Sequence, residues 1–313
     1  MISETSQTDG RDDDVLLVET SGLTKRYGGR ITAVDDLDLG VRRGEVYGFL
    51  GPNGAGKTTT LRMLLGLIKP SFGTATVLGE EPGAPAGLAR IGALVESPAF
   101  YPYLSGRDNL RVMARYSGVA PSRVEEVLQQ VKLSGRAGDK FKQYSLGMKQ
   151  RLGVAAVLLK NPELLILDEP VNGLDPKGMA DMRAIIRGVR GEGKTVLLSS
   201  HLLGEVEQIC DRIGVILRGK LVVERTMEEL RGREEGLLVR AEPLEEAVRV
   251  AYDLPEVEEA QVANGMLRIT ADPTHAAEIN TGLVNAGLRV SELRPVERSL
   301  EEMFLELTGV ETV

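Results

Sequence analysis

The chain has 313 residues, 42% hydrophobic and 27% charged, with a net charge of −8 and a pI near 5.2. That length exceeds one core of ordinary size, so two domains are expected, and the acidic balance argues against a general nucleic-acid binder, which needs a basic face. No apolar run reaches the ~18–20 residues of a membrane helix, and the one cysteine, Cys210, has no partner for an internal disulfide. A reducing, cytosolic setting is therefore expected, with Cys210 read as a small buried hydrophobe.

Residues 1–14, MISETSQTDGRDDD, are polar and acidic and read as a disordered tail, not a signal peptide. From Val15, short apolar runs broken by glycine (VLLVETSGLTKRYGG, ITAVDDLDLGVRRGE) predict strands and turns. VYGFLG (46–51) is a continuous apolar strand ending in glycine, and KTTTLRMLLGLI (57–68) carries Leu61, Leu64, Leu65 and Ile68 at helical spacing. Residues 105–160 read mostly as helix. A buried strand returns at LLILDEP (164–170), followed by a helix over 178–193, the strand TVLLSS (195–200), a helix over 202–211, and two strands around Gly219. This alternation predicts an α/β core with parallel strands, a β-rich N-terminal part and a helical insert. RGREEG (231–236) reads as a linker. The order β-α-β-β-α-β plus a last helix, RSLEEMFLELTG, then fills residues 236–309, and Asn264-Gly265 marks a hairpin. The expected organisation is a tail (1–14), a main domain (15–231) and a small α+β accessory domain of ferredoxin-like order (236–309).

GPNGAGKT (51–58) fits G-x-x-x-x-G-K-[ST] in full, after a strand and opening a helix. Glycines let the backbone curl so that N–H groups face phosphate oxygens, and the helix N-terminus adds positive potential. Lys57 supplies a full charge to the β- and γ-phosphates, and Thr58 offers a hydroxyl to Mg²⁺. The candidate ATP-binding stretch is Gly51, Pro52, Asn53, Gly54, Ala55, Gly56, Lys57, Thr58 and Thr59. In LLILDEP, Asp168 emerges at the C-terminal strand edge as a candidate Mg²⁺ ligand, and Glu169 as the group that polarises the attacking water. YSLGMKQR (144–151) places Ser145 and Gly147 at a helix start, where a cap would leave N–H groups facing outward.

Taken together these segments resemble the nucleotide-binding subunit of an ABC transporter, a P-loop NTPase fold. SLGMK resembles the family's signature, usually Ser-Gly-Gly-Gln after Leu; here Leu146 replaces its first glycine and Met148 its glutamine. NGLDP (172–176) resembles the D-loop, with Asp175; SSH (199–201) resembles the switch histidine, His201; RY (26–27) resembles the aromatic loop, where Tyr27 would stack on adenine. The resemblance covers residues 15–230 and implies catalytic roles for Lys57, Glu169 and His201. It further implies ATP contacts from Tyr27, the 51–59 stretch, Ser145, Gly147 and Asp175, and metal contacts from Thr58 and Asp168. Residues 236–309 are similar to a C-terminal domain of some drug- and peptide-export ATPases.

Glu96, in IGALVESPAFYPYLSG (91–106), stands where the family has the glutamine of the Q-loop. A carboxylate there would also ligate Mg²⁺ and bring a negative charge near the γ-phosphate. Glu at this position resembles exporters of bacitracin-like or lantibiotic peptides. Phe100, Tyr101 and Tyr103 follow. Two readings stand for them: the walls of a groove that receives a helix of a membrane subunit, or the core of the helical insert itself. The resemblance implies a homodimer of ATPase subunits sandwiching two ATP, and a separate polytopic permease held through residues 96–103. It places the chain at the cytoplasmic face of the cell membrane, exporting drugs or antimicrobial peptides, with no nucleic-acid partner. Alternatives are an ATPase of this superfamily acting on ribosomes or DNA, and the ATPase of a peptide-sensing complex. His275 is assigned no role.

Overall fold

The computed structural model describes residues 15–96, 99–231 and 236–296. The tail 1–14 and the expected last helix lie outside these described residues. In chain order, the first part runs β1 (Leu16–Tyr27), β2 (Ile31–Leu37), β3 (Gly40–Arg42), β4 (Val46–Leu50), α1 (Lys57–Leu64), β5 (Phe72–Val77), α2 (Pro85–Arg90) and β6 (Ile91–Leu94). It continues α3 (Gly106–Tyr116), α4 (Ser122–Gln130), α5 (Leu146–Leu158), β7 (Leu164–Asp168), α6 (Pro176–Gly191), β8 (Thr195–Ser200), α7 (Leu203–Val206), β9 (Arg212–Leu217), β10 (Lys220–Thr226) and α8 (Met227–Arg231). The chain divides into two compact units at Met227/Glu228.

The first unit holds two sheets. One has strand order β10-β9-β4-β8-β7-β6, parallel except for β10, which runs antiparallel to β9. Every residue of β4 and β8 is buried, as the inner strands of a sheet covered on both faces require. The other sheet is antiparallel, with β1 pairing β2, β3 and β5. Apolar side chains from both sheets, among them Leu23, Val41, Phe49, Leu61, Leu64, Ile166 and Leu197, share one core with α1.

The register of the parallel sheet positions the site. Phe49 lies beside Ser199 and Ser199 beside Asp168, while Leu94 lies beside Leu167. The turns after β4, β6, β7 and β8 therefore emerge along one sheet edge, where ligands of such sheets bind. The helical insert begins at Ser105, whose hydroxyl accepts the Asp108 backbone N–H (3.0 Å) and caps α3. In return that hydroxyl, with Arg111, holds the Asp108 carboxyl below the ordinary carboxylate range.

The helix expected over 202–211 is one turn, Leu203–Val206. Gly204 weakens it, and Asp211 donates its N–H to Val46 O (2.9 Å), which draws the chain out of the helix and into β9. Cys210 is buried, and burial pushes its thiol pKa well up, so it is a packing residue, not a nucleophile.

The second unit comprises β11 (Leu237–Glu242), α9 (Leu244–Tyr252), β12 (Glu259–Ala263), β13 (Met266–Thr270), α10 (Ala276–Asn285) and β14 (Arg289–Pro295). Its sheet is antiparallel with order β12-β13-β11-β14, and Leu237, Val239, Ala247, Leu267, Ile279 and Leu283 form its core. Asn264 (φ 50°) and Gly265 (φ 74°) form the turn between β12 and β13, the left-handed pair a two-residue hairpin needs.

Candidate functional site: a phosphate cradle and its carboxylates

The loop between β4 and α1 is drawn tight by two glycines. A Cβ on Gly51 would stand 2.4 Å from Ile216 O, and one on Gly56, whose φ is 116°, would stand 2.4 Å from Ala33 O. Only glycine fits either position. Gly51 donates its N–H to Ser200 O (3.2 Å) and Ala55 O accepts from Gly219 N–H (2.9 Å), so the loop is pinned to β8 and to the β9–β10 turn. Gly56 offers no side-chain cap to α1, and the first turn of that helix holds no acid. The helix opens with bare N–H groups and positive potential, as an anion site requires.

Six side chains converge beside this loop. Lys57 is 6% exposed; its Nζ donates to Gly51 O (2.7 Å) and Pro52 O (3.3 Å) and pairs with Glu169 Oε1 (3.1 Å). Thr58 Oγ1 donates to Asp168 Oδ2 (2.8 Å). Glu169 Oε2 lies 2.8 Å from His201 Nδ1, so its carboxylate is bracketed by Lys57 and His201. Ser199, fully buried on β8, donates to Asp168 Oδ1 (2.5 Å) and accepts the Glu169 backbone N–H (3.0 Å). Glu169 itself is left-handed, with φ 49°. Ser199 is not legible in the sequence: a serine inside a strand carries no pattern, and only the register with Asp168 reveals it.

The donor set suits Mg²⁺. The Thr58 hydroxyl and an Asp168 carboxylate oxygen are hard oxygens at one point, and Mg²⁺ takes one or two protein oxygens and completes its shell with phosphate and water.

The other expected residues fall in three places. Tyr27 ends β1, 42% exposed, with Lys25 Nζ 5.2 Å from its ring centroid. It pairs with Ile31, two residues before Ala33, which touches Gly56, so it stands on the hairpin flanking the loop. Ser145 caps α5, accepting Met148 N–H (3.3 Å); Asp175 caps α6, accepting Gly178 N–H (2.8 Å). Gly147 has room around it: a Cβ there would come no closer than 3.8 Å to Gly178 or Leu174. Ser145, Gly147 and Asp175 are thus a second group, in which the Ser145 and Asp175 side chains bond to their own helices and not to the loop.

Glu96 follows β6 with φ 70° and pairs with Arg62 of α1. The aromatics after it divide between the two readings. Phe100 packs on Phe141 within the insert (centroids 5.1 Å), whereas Tyr101 and Tyr103 contact one another (5.8 Å) and are 46% and 64% exposed. Asn109, buried on α3, holds their loop: its amide accepts Tyr101 N–H (2.8 Å) and donates to Tyr101 O and Ser105 O. Beside them a groove of about 410 Å³ runs between β6, α3 and α5, lined by Ala93, Val95, Phe100, Met113 and Val157 among others.

A strand, a glycine-curled loop and a helix, with a carboxylate pair on the next-but-one strand, define a P-loop nucleoside-triphosphatase. The model of the ABC transporter family matches residues 34–172. The chain is 42% identical to the uncharacterised ABC transporter ATP-binding protein YhcH of Bacillus subtilis, over 94% of this chain and 96% of that one. It is 41% identical to the bacitracin transport ATP-binding protein BcrA of Bacillus licheniformis (95% and 99%) and 41% to the lantibiotic transport ATP-binding protein SrtF of Streptococcus pyogenes (70% and 95%). Among solved structures it is similar to an ATP-binding subunit of an ABC transporter, with TM-score 0.61 and 28% identity over 69% of this chain and 92% of the other. The chain belongs to the ABC transporter ATP-binding family, and it is an ATP-binding ATPase subunit. Among the described residues no helix is long and apolar enough to cross a membrane.

Proposed function

We propose that this subunit hydrolyses MgATP as a homodimer to drive a separate permease that exports peptides of the bacitracin or lantibiotic class. The observation that carries the chemistry is the bracketed Glu169, held by Lys57 on one oxygen and His201 on the other.

The triphosphate lies in the 51–58 loop, along its N–H groups, with Lys57 against the β- and γ-phosphates. Tyr27 stacks on the adenine. Thr58 and Asp168 would hold Mg²⁺, which would supply positive charge against the phosphates. Glu169 orients the attacking water and draws its proton, and His201 keeps the carboxylate aimed. Ser145 and Gly147 lie apart from the loop of their own chain, at the N-terminus of the thirteen-residue α5. From a second chain that helix end would face the γ-phosphate and supply positive potential, with Asp175 at the same interface. Each site therefore needs two copies.

Exposed Tyr101 and Tyr103 and the groove beside them suit an apolar helix from the permease, and on this reading the subunit works at the cytoplasmic face of the membrane. The substrate class follows the relatives and the Glu at position 96. Glu169→Gln tests the core of this reading. It should keep ATP binding, lose about a thousandfold in kcat, and elute as a dimer when ATP is present. Unchanged turnover, or a variant that stays monomeric with ATP, would sink the assignment.

A further inference from the structure

Three carboxylates stand at neighbouring strand ends: Asp168 ends β7 and Glu169 follows it, and Glu96 follows β6. The register pairs Leu94 with Leu167, so Glu96 and Glu169 each stand two residues beyond a paired position. Lys57 faces Glu169, and the Thr58 hydroxyl faces Asp168. Glu96 has its own partner on the same helix. Arg62 is four residues after Thr58, hence on the same face of α1 one turn along, and its guanidinium pairs with the Glu96 carboxylate. The helix thus meets the strand ends at two successive rungs, Thr58 with Asp168 and Arg62 with Glu96. The backbone of Glu96 is left-handed, φ 70°, a conformation that non-glycine residues adopt rarely and that needs something to hold it.

We propose that Arg62 is the counter-charge and positioning residue of Glu96. It cancels the charge that this carboxylate would otherwise bring to the phosphate end of the site, and it holds the side chain one turn away from Thr58. This inference rests on the reading of the 51–58 loop as the ATP site. An unpaired carboxylate within about 10 Å of a bound triphosphate repels it, and at the effective dielectric of a partly exposed site that repulsion weakens ATP binding by roughly tenfold. The pair itself is a surface one: the Arg62 side chain is 37% exposed and the Glu96 side chain 65%. Such pairs add little to folding stability, so its members can be replaced without unfolding the chain.

The test is a double-mutant cycle in the full chain, read by the affinity for a fluorescent ATP analogue and by steady-state ATPase activity. Arg62→Met should bind the analogue about tenfold more weakly than the wild type, and the loss should shrink as salt is raised. With Mg²⁺ chelated, so that no metal contact of Glu96 enters, the analogue affinity of Arg62→Met with Glu96→Gln should return to within about twofold of the wild type, because the unbalanced charge is gone. Equal affinity of Arg62→Met and wild type, or a loss that Glu96→Gln leaves unrepaired, overturns the proposal. If Arg62→Met melts far below the wild type, the exchanged pair Arg62→Glu with Glu96→Arg carries the same test: Arg62→Glu alone weakens binding and the exchange restores it. A wild-type chain that bound no ATP would refute the site reading instead, so the two failures are distinct.

Discussion

Replacing Ser199 with alanine removes one oxygen from the centre of the site and leaves every charged group in place. The hydroxyl is fully buried, donates to Asp168 Oδ1 and accepts the Glu169 N–H. A hydrogen bond to a charged group contributes about 1.5–3 kcal/mol, and a buried N–H left without a partner costs about 1–3 kcal/mol. The two losses overlap, so about 3 kcal/mol is expected, or roughly 6–12 °C in Tm for a unit of this size. The catalytic effect is separable. Asp168 keeps Thr58, and Lys57 keeps its loop carbonyls, so the ATP KM should move by less than about threefold. Glu169, left-handed and without its backbone anchor, loses its aim, and a misplacement of about 1 Å costs up to about a hundredfold in kcat. Phosphate release at saturating ATP and Mg²⁺ measures this, with Ser199→Thr, which keeps the hydroxyl, as a partial rescue. Wild-type kcat in Ser199→Ala, or a rise in KM alone, would refute the reasoning.

Arg212 holds a buried charge cluster: it reaches Glu45 (2.9 Å), Glu224 (3.2 Å) and Gly40 O, while Tyr47, whose hydroxyl pKa is pushed well up by burial and by Glu224, donates to Glu224 (2.8 Å). Arg212→Met takes the cation from the largely buried Glu45 and from Glu224, which keeps its Tyr47 hydrogen bond, and should cost about 3 kcal/mol in urea unfolding. Glu163 is gripped by Arg90 (2.6 and 2.9 Å), which holds its carboxyl below the ordinary range. A depressed folded pKa means that the contribution is present above the unfolded value of about 4.3 and is lost as pH falls through the folded one. Both groups are about two-fifths exposed, so Glu163→Gln should cost less than about 1 kcal/mol near pH 7, and that cost should shrink as pH falls through the folded value, compared by thermal melts.

The legible features are those whose physics is local. Four apolar residues before Asp168 announce a covered strand, GPNGAGKT announces a curl that only glycine permits, and Asn264-Gly265 announces its hairpin. Local pattern also misled: the stretch 202–211 has helical spacing, but the bond from Asp211 to Val46 belongs to the sheet and cuts the helix short. β5 and α2 carry no clear period; one is mostly exposed and the other is a six-residue turn of Pro, Ala and Gly with few apolar anchors. What no window of sequence could show is who meets whom across it. Arg62 and Glu96 are 34 residues apart, and Ser199 and Asp168 are 31 apart. Each pair exists because parallel strands and one helix bring distant segments to the same edge.

That edge also explains why Glu169 needs so many neighbours. Lys57 lies 3.1 Å from its carboxylate and, on the proposed site, is also the cation that meets the triphosphate. One ammonium cannot fully balance both, so a γ-phosphate arriving at Lys57 competes with Glu169 for it. On that reading, as the phosphate wins, the carboxylate would lose its strongest counter-charge and keep His201 at 2.8 Å, while Ser199, which accepts the Glu169 backbone N–H at 3.0 Å, anchors the residue. Such a competition would cost binding energy and leave a carboxylate oxygen free for water, exchanging affinity for reactivity. Glu169→Gln removes the competitor for Lys57. It should therefore bind ATP more tightly than the wild type even as hydrolysis stops, and an affinity weaker than the wild type, measured by equilibrium titration, would mean that Lys57 and Glu169 do not compete.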